Sequence, residues 1–316
     1  VNRSRSLFVL LCTGITLIII PSVAAASELK RETMPEGCVR DQWSLKSPSM
    51  EKEIRIAVVR PPDRGGPGQA ALPVLYALHG KGAPYLSFTE MVPLRKFLID
   101  HPMLLVVFDA GDDSGYVDAT HRQQSLYTTF FFEELIPEIR KRYAATDQMA
   151  LTGFSMGGYG AFHYMLSAPD TFQSVSALSG AFSLFEENGI SPAWEERYTD
   201  LIGKREENLD RYDEVMLRPR LEQVVTLGRV LPPMMIICGA EDFLLEINRQ
   251  MVDTLSQLND RGTAQGIAKA PGKTLAAYPF DFEYREYPGG HDWLFWKSHS
   301  EEIARFHWQF FHPADE

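Results

Sequence analysis

Cysteine is scarce in this chain: three in 316 residues, at positions 12, 38 and 238. So few exclude a disulfide-built scaffold, and no Cys/His spacing resembles a zinc site. Basic residues are also in deficit. Lys and Arg total 31 against 42 Asp and Glu, a formal charge of −11, so nucleic-acid phosphate and anionic membrane surfaces repel the bulk of the molecule. Internal repeats and low-complexity tracts are lacking. So is any apolar run of the roughly 20 residues that a permanent membrane-spanning helix needs. What is present is ordinary: 45% apolar and 23% charged residues, with 23 Gly and 20 Pro. That composition excludes disorder, collagen and coiled coil, and the length allows one large domain or two smaller ones.

The first 26 residues read as an address. Arg3 and Arg5 make a positive start, Leu7 to Ile20 form an apolar run of 14 residues, and Ala24-Ala25-Ala26 precede Ser27. This is the order of a secretory signal peptide, with cleavage expected after Ala26 and an uncleaved anchor as the alternative. Cys12 lies inside the run without the small-residue context of a lipoprotein. Removing the leader leaves 29 basic against 42 acidic residues, and the mature protein is expected to be secreted or periplasmic, with no stable membrane insertion. Cys38 and Cys238 then share an oxidising compartment in which they can pair. Cys238 closes the apolar run Met234 to Ile237, however, and reads as a free core thiol.

Beyond the leader, strand and helix patterns alternate. Glu53 to Arg60 alternates charged and apolar side chains, as a half-exposed strand does. Val74–Leu78, Leu104–Phe108, Met149–Leu151 and Met234–Ile237 are almost wholly apolar, the signature of strands buried on both faces of a parallel sheet. Phe130 to Tyr143 places Phe131, Leu135, Ile139 and Tyr143 four apart. Leu244 to Leu258 and Glu301 to Phe311 also show helical spacing, and Ser298, three before Glu301, suggests a capping box. The rhythm predicts an α/β protein built on one central sheet. It breaks between Phe182 and Leu231, a charged stretch containing Trp194, Tyr198 and Tyr212. This reads as a helical insertion that either shapes a cleft or makes a solvated excursion.

The chemistry gathers at three points. Gly153-Phe154-Ser155-Met156-Gly157 matches Gly-x-Ser-x-Gly, which places a serine at the apex of a strained strand-to-helix turn. The apolar strand before it and the small-residue segment Gly157 to Leu166 after it fit that turn. A serine hydroxyl needs a base to take its proton, and histidine suits the task. Where this elbow is used the chain order is Ser, acid, His, so His291, His299, His307 and His312 are candidates. His291 alone follows a predicted strand (Phe282 to Tyr287) in a glycine turn, Pro288-Gly289-Gly290-His291. The acid is expected at Asp242, with Glu241 as the alternative, just after the strand ending at Cys238. Asp253 and Asp292 read as surface and structural charges. The oxyanion donors are expected to be the backbone N–H of Met156 and of Lys81, the latter in the turn after Leu75 to Leu78. His79 is expected to orient that turn.

Together these pieces resemble the putative-esterase family of α/β hydrolases, which includes S-formylglutathione hydrolases, feruloyl esterases, enterochelin-esterase-like proteins and mycobacterial mycolyltransferases. The resemblance is carried by LYALHG at 75–80, GYVDA at 115–119, FFEELIPEI at 131–139, LTGFSMGGYGA at 151–161, ALSGAF at 177–182, CGAEDF at 238–243 and YPGGHDWLFW at 287–296. It implies an α/β-hydrolase fold in one domain, residues 27–316, with a mostly parallel sheet flanked by helices and an insertion around 183–231. It further implies a Ser155, Asp242, His291 triad, no cofactor and no metal. The expected activity is an exported serine carboxylesterase acting on a small-molecule or glycan-linked acyl ester. Acyl transfer to a sugar or alcohol is the alternative, and a non-catalytic binding protein on the same scaffold a remoter one. Trp293 and Tyr159 are expected to bind substrate. Phe154, Phe295 and Trp296 are aromatic residues for which packing is the safer expectation, and Tyr116 and Asp118 either reach the cleft or end a strand.

Overall fold

The computed structural model describes residues 29–93, 95–186, 192–264 and 280–311. The expected leader and His312 lie outside the described residues. The strands are β1 (Lys30–Thr33), β2 (Val39–Ser47), β3 (Lys52–Arg60), β4 (Leu72–Leu78), β5 (Leu104–Phe108), β6 (Ala145–Phe154), β7 (Ser174–Leu178), β8 (Met234–Gly239) and β9 (Phe282–Tyr287). They form one sheet in the order β1-β2-β3-β5-β4-β6-β7-β8-β9. From β5 through β9 every neighbouring pair is parallel, while β1, β2 and β3 form an antiparallel edge joined to β5.

The apolar runs behave as their composition requires. Every residue of β4, β5, β7 and β8 is buried. Alternation along each strand sends side chains to opposite faces. Val74, Tyr76, Val106, Phe108 and Leu151 enter one core, whereas Leu75, Ala77, Leu105, Val107 and Ala150 enter the other. Helices cover both faces, which is what a doubly buried parallel sheet needs.

The helices are α1 (Ser87–Met91), α2 (Tyr127–Thr129), α3 (Ile136–Arg142), α4 (Met156–Ser167), α5 (Pro192–Ile202), α6 (Leu209–Val215), α7 (Leu217–Thr226), α8 (Leu245–Ala264) and α9 (Trp293–Phe311). A π-helical turn at Phe130–Leu135 joins α2 to α3. The expected apolar stripe is present, with Phe131, Leu135 and Ile139 fully buried. The insertion is α5 to α7 and it is packed: Tyr198, Leu201, Val215 and Leu221 all join the larger core. It is therefore not a solvated excursion. Cys38 and Cys238 are free and buried.

Two expectations about the last helix change. Its start lies at Trp293, eight residues before Glu301, and Ser298 sits inside it, its Oγ donating back to Leu294 O at 2.7 Å. The cap is Asp292, whose Oδ1 accepts from Phe295 N–H at 3.0 Å, as an N-terminal Asp does. β7 was also unmarked by apolar content. Its Ser174 and Ser176 face α9, where fully buried His307 donates from Nε2 to Ser176 Oγ at 2.8 Å. Ser176 passes its own proton to Thr152 Oγ1 at 2.8 Å, which leaves His307 Nδ1 to accept from Ser174 Oγ at 2.7 Å. Among the described residues no charged group acts on this ring, so it is a sealed polar knot in the core. Among the described residues no helix is long and apolar enough to cross a membrane.

Burial pushes the His307 pKa down from 6.5 to about 3. The unfolded chain therefore takes up a proton that the native state refuses. The stability this residue supplies is complete above about pH 6.5 and is lost as pH falls toward about 3. The loss proceeds at about 1.4 kcal/mol per pH unit. His307→Gln is expected to flatten the pH dependence of the unfolding free energy over that window. Parallel curves for the two proteins would show instead that the native histidine is protonated.

Candidate active site

Ser155 stands between β6 and α4 with φ 55° and ψ −120°, a left-handed backbone that costs a serine about 1 to 3 kcal/mol. The surroundings hold it there. Its N–H donates to Leu178 O at 3.0 Å, and its carbonyl accepts from Gly158 N–H and Ala181 N–H, each at 3.0 Å. The two glycines of the motif permit the turn because there is no room for a side chain. A Cβ on Gly153 would lie 2.2 Å from Gly157 O, and one on Gly157 would lie 2.1 Å from Leu78 O.

The structure brings Ser155, His291 and Asp242 together. His291 Nε2 is 3.0 Å from Ser155 Oγ, and its Nδ1 is 3.0 and 2.9 Å from the two oxygens of Asp242. An ionised carboxylate only accepts, so Nδ1 carries the proton and Nε2 faces the serine hydroxyl as an acceptor. Burial alone would raise the Asp242 pKa. Hydrogen bonds from His291, from Ser179 and from Leu244 N–H outweigh it and hold the carboxyl below its usual range.

Glu241, the alternative acid, has another task. Its carboxylate accepts from Gly289 N–H, and its own N–H donates to Gly289 O at 3.0 Å, so it clamps the turn that carries His291. Asp292 caps α9 immediately after. His299 stacks on Tyr287 with ring centroids 4.3 Å apart and stays away from the serine.

The turn after β4 abuts the elbow. A Cβ on Gly80 would be 3.3 Å from Ser155 Cβ, so the residue before Lys81 packs against the elbow serine, and Met156 opens α4. His79 is buried and orients this turn. Its Nδ1 donates to Gly80 O at 2.9 Å, and its Nε2 accepts from Ala110 N–H at 3.0 Å. Burial lowers its pKa. Tyr116 is equally structural, donating from its hydroxyl to His79 O at 2.8 Å, and Asp118 accepts from Thr129 N–H and Oγ1.

Of the two residues expected to meet substrate, Tyr159 does not. It is buried, and its hydroxyl donates to Val215 O at 2.6 Å, because the insertion covers the outer face of α4. Trp293 is 43% exposed, with its ring 5.1 Å from Phe154. Phe243 was missed. It is 63% exposed with its ring 4.5 Å from that of His291, and the readable signal was an apolar residue in a polar turn directly after the acid. Leu294, the next residue of α9, is 78% exposed. Phe154, Phe295 and Trp296 are packed, as expected. A separate cavity of about 330 Å³, lined by residues including Asp118, His163, Arg211 and Arg220, contains none of the three converging residues. Among the described residues, no group of three or more His, Cys, Asp or Glu is arranged to hold a metal ion.

Comparison with known proteins follows the same geometry. The family model described as Putative esterase matches residues 47–305. An acetyl esterase of Caldicellulosiruptor saccharolyticus is 24% identical over 271 residues, covering 82% of this chain and 94% of its own length. In structure, an S-formylglutathione hydrolase from Agrobacterium tumefaciens aligns with a TM-score of 0.70 at 19% identity, over 90% of this chain and 100% of that one. A fluorophosphonate-binding serine hydrolase of Staphylococcus aureus aligns with a TM-score of 0.64 at 19% identity, over 90% and 98%. These two similarities show the fold, a mostly parallel sheet flanked by helices.

The close approach at Gly157 yields a test. Gly157→Ala is expected to force the β4 carbonyls away from the elbow, lowering the thermal unfolding midpoint by several degrees although alanine favours helix. An unchanged midpoint would show that the approach is relaxed in solution.

Proposed function

The chain belongs to the Putative esterase family and is a carboxylic ester hydrolase, and from that premise we propose that it is exported and works through an acyl-enzyme formed on Ser155. The observation that carries the proposal is the unbroken chain from Ser155 Oγ through His291 to Asp242, at 3.0 and 2.9 Å. The three side chains come from the ends of three strands.

In the reaction, Ser155 Oγ attacks the ester carbonyl as His291 Nε2 takes its proton. Asp242 stabilises the imidazolium and fixes the tautomer. The negative oxygen of the tetrahedral intermediate receives the backbone N–H groups of Met156 and Lys81. Collapse expels the alcohol, which leaves with the proton from His291, and water repeats the sequence to free the acid. Phe243, exposed against the His291 ring, and Trp293, exposed against Phe154, take the apolar part of a small-molecule or glycan-linked acyl ester. The leader at residues 1–26 directs the protein to a secreted or periplasmic location, where a neutral ester is better matched than a polyanion to the acidic surface.

A fluorophosphonate probe is expected to label the wild type and not Ser155→Ala, and His291→Ala is expected to lose at least about 10⁴-fold in kcat on p-nitrophenyl esters. An unlabelled, inactive wild type would overturn the reading. Phe243→Ala and Trp293→Ala are expected to raise KM about tenfold for esters with an aromatic or long apolar group, with kcat little changed. Equal KM values for apolar and small esters would remove the rim from the substrate site. N-terminal sequencing of the exported protein is expected to begin at Ser27, and recovery of residues upstream of Ser27 would show an uncleaved anchor.

A further inference from the structure

The cavity of about 330 Å³ between the insertion and α4 has no part in the ester chemistry. Four segments line it: Asp118 and Thr128 from the stretch after β5, His163 and Ser167 from α4, Arg211 from α6 and Arg220 from α7. Arg220 is the unusual member. A guanidinium taken out of water calls for a carboxylate partner, yet Arg220 is bonded to neutral groups: His163 Nδ1 at 2.8 Å, His163 O at 3.4 Å and Ser167 Oγ at 3.0 Å. Its fork carries five N–H donors, so Nε and part of Nη2 remain for another acceptor.

The histidine cannot balance that charge. An arginine only donates, so His163 Nδ1 is unprotonated and Nε2 gives its proton to Thr128 Oγ1 at 3.0 Å. Thr128 in turn donates to Tyr116 O at 3.1 Å. The ring is therefore neutral, and burial keeps it so by pushing its pKa well below 6.5. Arg211 adds a second cation. Its Nη2 donates to Asp118 O and its Nη1 pairs with Glu214, while its Nε is buried with no hydrogen-bond partner among the described residues. Burial lowers the Arg220 pKa, and repulsion from Arg211 adds to the effect.

The carboxylates on the wall are committed or exposed. Asp118 accepts from Thr129 N–H and Oγ1 at 3.0 and 2.7 Å, Glu214 holds Arg211, and Asp213 stands in water. They leave Arg220 without an ion-paired partner, but three acidic residues on one wall disfavour a ligand of high charge.

From this geometry we infer that the cavity is a binding site for a small, singly charged oxyanion, a carboxylate, with the Arg220 fork and Arg211 Nε as its donors. A guanidinium matches the two oxygens of a carboxylate, and a ligand held by both arginines ties α6 and α7 to α4. None of Ser155, Asp242 and His291 lines the cavity, so the site stands apart from the esterase reading and does not depend on it.

The test uses the full chain with acetate as the probe and chloride at equal ionic strength as the reference. Acetate is expected to raise the thermal unfolding midpoint of the wild type along a saturable curve, by about 3 °C over chloride at ten times its dissociation constant. Arg220→Gln is expected to lose that saturable gain. Arg220→Lys, which keeps the charge without the fork, is expected to retain a small part of it. Any general salting effect of acetate is common to the three proteins and cancels between them. Equal midpoints in acetate and chloride, or a saturable gain that survives in Arg220→Gln, would overturn the site. A saturable gain with phosphate and none with acetate would overturn the carboxylate assignment. If Arg220→Gln does not fold, Arg211→Gln, which removes the buried Nε, decides: acetate binding weakened about tenfold supports the site, and an unchanged acetate response overturns it.

Discussion

The first turn of α4 rests on the carbonyl end of β4, so closely that a single Cβ on Gly157 would sit 2.1 Å from Leu78 O. That contact fixes how the turn carrying Ser155 sits on the sheet. β4 lies between β5 and β6, so the chain leaves β4 toward one side of the sheet and returns on the other. The crevice this creates at the carboxyl ends is where ligands gather in open parallel sheets. Ser155 projects at its border, tied to β7 through Leu178 O and to the following loop through Ala181 N–H. Its placement is a property of three packed strands and does not depend on a free loop, which is the rigidity a reactive constellation needs.

Burial separates the histidines by task. His79, His163 and His307 all have their pKa lowered chiefly by desolvation, and each has both ring nitrogens engaged. His163 illustrates the pattern: Nε2 contacts Thr128 Oγ1 at 3.0 Å, and Nδ1 accepts from Arg220 at 2.8 Å. Such rings are fixed neutral connectors. His291 differs in keeping part of its surface toward solvent while a buried anion holds its far nitrogen. That combination of an anchored side and an open side lets a ring carry a proton back and forth.

The parts of the fold that were legible in the sequence are those where burial and residue type agree. Leu104 to Phe108 is apolar throughout and forms β5 over those same residues, and the strand expected at Phe282 to Tyr287 is β9. β7 escaped notice because two of its five residues are serines serving His307, a pairing more than 100 positions distant that local pattern cannot carry. Ser298 looked like a cap because Glu301 follows it, yet Asp292 lies earlier and offers a better acceptor geometry. At the site, the converging Ser155, Asp242 and His291 were readable because each sits in a turn after a strand. Tyr159 misled because closeness to Ser155 in sequence implied closeness to the opening. The insertion covers that face of α4, and only tertiary packing reveals the cover. Phe243 was overlooked for the converse reason, since an aromatic residue beside a carboxylate looks like the start of the next buried helix.

The separation between Ser155 and His291 is 136 positions, and His291 follows β9, the outermost strand on its side of the sheet. Chains emerge from the ribosome amino end first. The elbow and its neighbouring strands therefore precede His291 in synthesis, and the Ser155–His291 contact closes only once β9 lies against β8. The pair therefore joins the middle of the chain to a much later segment, and its closure records that β9 has taken its place beside β8.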